Sequence, residues 1–124
     1  MKVMVFVKAT KDTEAGVPPD PQAMEAMAKY NEALIAAGIV KVERGGGLKP
    51  TRCAKRVHFS GKSPTVIDGP FAETKELVAG FALWEVKSME EAVEWVKKSP
   101  MPTDSDVDIR PLYSLEDFAT WDKG

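Results

Sequence analysis

The chain has one cysteine, Cys53, among 124 residues. One thiol cannot close an internal disulfide, so a disulfide-built secreted domain is excluded and a reducing compartment fits. It also has one histidine, His58. Cys53 therefore has no partner donors at ligand spacing, and neither a metal site nor a cofactor is expected. Basic charge is not in excess: 17 Lys and Arg stand against 19 Asp and Glu, for a net charge of −2. Nucleic-acid binders show a basic face or a high pI, so a nucleic-acid partner is not expected. No apolar run approaches the ~20 residues of a membrane span. The opening run Val3 to Val7 is too short for a secretory leader. The expectation is a cytoplasmic protein that does not engage membranes. The length suits one domain, which at this size buries roughly two-thirds of the unfolded chain's surface.

What is present reads as alternating short strands and helices. Val3 to Val7 is β-branched and aromatic and bounded by lysines, a strand pattern. Residues 10–20, with Gly16, Pro18 and Pro19, read as a loop. Asp20-Pro21 is a cap followed by a first-turn proline. Met24, Met27, Ala28, Leu34 and Ile35 then recur at helical spacing until Gly38, which predicts a helix over 21–37. Ile39 to Val42 predicts a second strand. Gly45-Gly46-Gly47 lacks the lysine–serine tail of a phosphate loop and reads as a bend or bulge. Arg56 to Phe59 alternates, Gly61 to Pro64 turns, and Thr65 to Ile67 returns, which predicts a hairpin. Leu77 to Val86 predicts a strand with Phe81, Leu83 and Val86 on its apolar side. Ser88 with Glu91 is a capping box, and Met89, Ala92, Val93 and Val96 give the helix a buried stripe. Val107 to Arg110 predicts the last strand. Ser114 to Trp121 predicts a short terminal helix, making residues 114–124 a tail beyond a domain of residues 1–113.

Without the hairpin the order is β-α-β-β-α-β, the ferredoxin-like order. The fold class is therefore α+β. Helices cover one face of such a sheet, and the far face needs a cover of its own. Alternation assigns Phe6 and Trp84 to that far face, and a second copy of the chain is the simplest cover.

The stretch Val66-Ile67-Asp68-Gly69-Pro70-Phe71-Ala72-Glu73-Thr74-Lys75-Glu76 resembles the signature of the DGPF-type proteins of the YCII-related family. Leu48-Lys49-Pro50 after the glycines, Gly80-Phe81, Met89-Glu90-Glu91-Ala92 and Ile109-Arg110-Pro111-Leu112 extend the resemblance over most of residues 1–113. The resemblance implies a ferredoxin-like fold that dimerises as an α/β barrel. It also implies relatives that sit beside extracytoplasmic-function sigma factors, and others that are enzymes on small aromatic compounds with a working histidine and aspartate. The aspartate corresponds to Asp68. The histidine position falls near Met27, where this chain has methionine.

Asp68 heads the candidates. A carboxylate at a strand end can act as a general base or anchor a ligand, while Asp before Gly-Pro is also ordinary turn chemistry. Gly69 precedes proline and is restricted by it. Pro70 and Phe71 complete the loop, and Lys75 offers a cation to an acidic ligand. Met27 is core filler or the floor of a pocket. His58 is of the residue type that changes charge near neutrality. It points away from Val57 and Phe59, sharing a face with Arg56. Three readings follow. The first is a homodimeric small-ligand-binding or regulatory module. The second is a lyase- or isomerase-type enzyme with Asp68 as base and His58 or Lys75 assisting. The third, by family analogy, is a partner of a sigma factor.

Overall fold

The computed structural model describes residues 1–41, 45–72 and 76–119. Strands β1 (Lys2–Lys8), β2 (Gly45–Gly47), β5 (Val78–Glu85) and β6 (Val107–Pro111) form one sheet in the order β2-β5-β1-β6. Each neighbouring pair is antiparallel. Helices α2 (Pro21–Ala36) and α3 (Met89–Lys97) connect β1 to β2 and β5 to β6. This is the ferredoxin-like α+β arrangement. A separate two-stranded hairpin, β3 (Lys55–Ser60) and β4 (Ser63–Asp68), is inserted between β2 and β5. The described residues also include two short helices, α1 (Lys11–Ala15) and α4 (Leu115–Ala119), and a 3₁₀ turn at Thr51–Cys53.

Local chemistry sets the helix ends. The Asp20 carboxylate accepts from the Ala23 N–H at 2.7 Å, with Pro21 at the first position. Gly38 leaves α2 at φ +76, and the Ile39 N–H bonds back to the Leu34 carbonyl at 3.0 Å. That is a Schellman ending, and Leu34 and Ile39 are both buried beside it. Ser88 caps α3 by accepting from the Glu91 N–H. The Glu91 carboxylate accepts from the Lys87 N–H, one residue before the expected cap amide.

Val3, Val5, Leu34, Ile39, Trp84, Val86 and Ala92 form the core, between the sheet and the helices. Register explains the set. Val3 faces Trp84 and Val5 faces Ala82 and Ile109, so odd positions of β1 and even positions of β5 share the helix side. Trp84 is therefore 4% exposed in the core and is not on the far face. The expected apolar side of β5 is corrected accordingly: Val86 belongs with Trp84, while Phe81 and Leu83 lie on the far face opposite Phe6 and Met4. Phe6 is on that face as expected.

Other expectations are also corrected. Ile39 packs in the core outside any strand, and the edge strand is the glycine run itself. Val42 lies outside the described residues. Residues 11–15, read as loop, are helical because Thr10 and Thr13 cap each other. Met24, Ala28 and Ile35 are exposed, and α2 reaches the core through Tyr30 and Leu34. In α3, Val93 is exposed and Trp95 packs on the core instead. The expected terminal helix is present over Leu115–Ala119, and Thr120 and Trp121 lie outside the described residues.

Candidate functional site

The Asp68-Gly69-Pro70-Phe71 loop leaves the end of β4 and is held from three sides. The Gly69 N–H donates to the Ala54 carbonyl at 2.9 Å. A side chain at Gly69 would run into the Thr51 carbonyl, so close approach requires glycine here. The Phe71 N–H donates to the Thr51 hydroxyl oxygen at 3.0 Å. The Thr51 hydroxyl donates to Glu14 Oε2 at 2.5 Å, and the Thr51 N–H donates to Glu14 Oε1 at 3.0 Å. The carboxylate of α1 thus fixes Thr51, and Thr51 fixes the loop. Arg52 adds a bond from its guanidinium to the Glu14 carbonyl at 3.2 Å. The Arg56 guanidinium lies 4.0 Å over the Phe71 ring.

Asp68 is the exposed end of this assembly. Its carboxylate meets Lys55 Nζ at 2.6 Å, with the two side chains 74% and 69% exposed. A pair so open to water contributes about 0–1 kcal/mol. Asp68 pairs in register with Lys55, and His58 with Thr65. His58 is three positions along the strand from Lys55, so side chains of period two put Asp68 and His58 on opposite faces of the hairpin. One face carries Lys55, Asp68, Val57, Val66 and Phe59. The other carries Arg56, Ile67, His58 and Thr65.

The remaining candidates are dispersed. Gly69 and Phe71 are half-buried and Pro70 is exposed. Met27 is half-buried on α2. Lys75, with Glu73 and Thr74, lies outside the described residues. Glu14, Thr51 and Arg52 were not expected at the site. The sequence signal for α1 was weak, because its cap pairs two threonines where a capping box has an acid or amide at the third position. An open groove of about 1410 Å³ lies at the other end of β1 and β6, between Met1, Arg110, Leu112, Tyr113 and Asp117. It contains no residue of the motif loop. Away from both, the Tyr30 phenol donates to the Trp95 carbonyl at 2.5 Å, and burial pushes its pKa up to about 12.

The profile of the YCII-related domain matches residues 1–116. The chain belongs to the YCII-related family. An uncharacterised protein of Rhizobium meliloti is 32% identical to this YCII-related chain over 95 residues, covering 75% of each. Among solved structures, similarity extends to 5-chloro-2-hydroxyhydroquinone dehydrochlorinase from Burkholderia phenoliruptrix, in complex with 2,5-dihydroxybenzoquinone. The match is 18% identical, covers 87% of this chain and 91% of that one, and has a TM-score of 0.45. No helix among the described residues is long and apolar enough to cross a membrane.

Proposed function

We propose that this YCII-related protein is a homodimeric module that binds a small polar ligand at the Asp68 loop without turning it over. The supporting observation is the division of labour in the loop. Gly69 and Phe71 are tied down by Ala54, Thr51 and Glu14, while the Asp68 carboxylate is left open to water and, among the described residues, pairs with Lys55. A loop fixed in advance loses little entropy on binding. An ionised carboxylate only accepts hydrogen bonds, so the ligand it suits brings a hydroxyl or an amine. Acid–base chemistry in the manner of an Asp–His pair is less well served, because His58 is on the other face of the hairpin.

The second copy is supported by the face that carries Asp68. Val57, Val66 and Phe59 stand exposed along it, Phe59 at 79%. A lone two-stranded hairpin is marginal in water, and cover from a second chain would enclose Asp68 at the edge of the contact.

The test is a thermal-shift screen of small alcohols, phenols and amines on wild type and Asp68→Asn. The expected outcome is a stabilising compound that loses its effect on the variant, with the unliganded melting temperature unchanged. A melting temperature several degrees lower for the unliganded variant would make Asp68 a structural turn residue. Turnover of a hit, abolished by Asp68→Asn and by His58→Ala, would replace this reading with the enzyme.

A further inference from the structure

Among the described residues, the cations near the motif loop are not equivalent. Lys55 is engaged by Asp68, and Arg52 donates to the Glu14 carbonyl. Arg56 has no carboxylate partner among the described residues. It is nevertheless held in place, because its guanidinium carbon lies over the Phe71 ring, 4.0 Å from the centroid. A contact with the ring face does not use up the five N–H donors of the guanidinium. Those donors form a planar fork whose geometry matches a carboxylate.

The hairpin register supplies the surroundings. Ile67 is directly across from Arg56, and Thr65 is across from His58. Cross-strand partners on one face lie about 4.5–5.5 Å apart at Cβ, and His58 is about 7 Å further along the strand from Arg56. A cationic fork, an exposed aliphatic side chain, an imidazole and a hydroxyl therefore share one surface. Charge favours an anion there. Arg56 supplies the charge on this face, while Lys55 and Asp68 pair with each other on the opposite face and Lys62 lies in the turn.

We propose that this face of the hairpin binds a small organic carboxylate, with Arg56 on the carboxylate and Ile67 under the apolar body. His58 and Thr65 lie beyond, where a polar substituent on the ligand would reach them. The site is distinct from the Asp68 carboxylate, which lies on the opposite face of the hairpin, although Phe71 of the same loop holds Arg56, and its ligand has the opposite hydrogen-bonding character.

The experiment is an NMR titration of the full chain with benzoate, and with acetate for comparison. Saturable shifts at the amides of Arg56, His58, Thr65 and Ile67, larger for benzoate than for acetate at equal concentration, are expected. Arg56→Gln should weaken benzoate at least about tenfold, a loss of ~1.4 kcal/mol. Arg56→Lys should weaken it similarly, because an ammonium neither stacks nor forks. Lys62→Gln, which removes a charge from the hairpin turn, should bind as wild type does. If Arg56→Gln fails to fold, Arg56→Lys carries the comparison. Absence of saturable shifts on this face would overturn the proposal, as would equal binding by Arg56→Gln or equal weakening by Lys62→Gln. Benzoate offers no donor to Asp68, so its failure to bind leaves the Asp68 reading untouched. Loss of amine or alcohol binding in Asp68→Asn has no bearing on Arg56.

Discussion

Thr51 has one hydroxyl proton, and Glu14 fixes where it goes. An ionised carboxylate cannot donate, so the proton of the Thr51 hydroxyl points to Glu14 and its lone pairs are left for the Phe71 N–H. Thr51→Val removes both bonds and strands the Phe71 amide, for an expected loss of about 1–3 kcal/mol. Thr51→Ser keeps the hydroxyl and should lose much less. Urea unfolding measures the difference, and faster hydrogen exchange at the Phe71 amide in Thr51→Val alone would locate it. Equal stability of the valine and serine variants would show that the relay does not hold the loop. Tyr30 gives a second test at this scale. Its folded pKa, raised to about 12 from 10.0, lies above the unfolded value. Its contribution is thus complete below pH 10 and is lost as pH rises from 10 to about 12. Tyr30→Phe should cost about 1 kcal/mol at neutral pH by removing the bond to Trp95 and should flatten the alkaline decline in stability. A decline of equal slope in both proteins would assign it to other groups.

Among the elements, the hairpin and the glycine strand show where local reading succeeds and fails. The hairpin was legible because β-branched and aromatic residues flank a Gly-Lys turn, and Gly61 takes φ +56 there. The glycine run was not, since glycine is poor in strands. Gly45–Gly47 becomes one because β5 offers a ladder, and a side chain at Gly45 would meet the Phe81 carbonyl. The hairpin's apolar face gives the prediction for this scale. Phe59 is largely exposed on the single chain, so Phe59→Ser should leave folding nearly intact and weaken self-association. Sedimentation over a concentration series checks both. A clean monomer for wild type at every concentration would remove the homodimer from the proposed function.

For the whole molecule, the decisive residue is Trp84. It sits between Val3 of β1 and the helices, and truncation to alanine leaves a large void where cores are packed like solids. Trp84→Ala should therefore destabilise by about 3–5 kcal/mol, read by chemical denaturation. At temperatures where the variant is still folded, its association should match wild type. Weakened association of the folded variant would move Trp84 back to the far face. The sequence by itself determined β1, the two long helices with their caps, the hairpin, the last strand and the family motif, because each rests on spacing, capping or turn residues within a few positions. It could not choose the buried face of β5, because Phe81 with Leu83 and Ala82 with Trp84 are both apolar sets. Only pairing with Val3 and Val5 made that choice. The Glu14–Thr51 contact spans 37 residues and leaves no local signal. The separation of Asp68 from His58 was likewise a matter of register, since a shift of one position would exchange every side chain between the hairpin's faces.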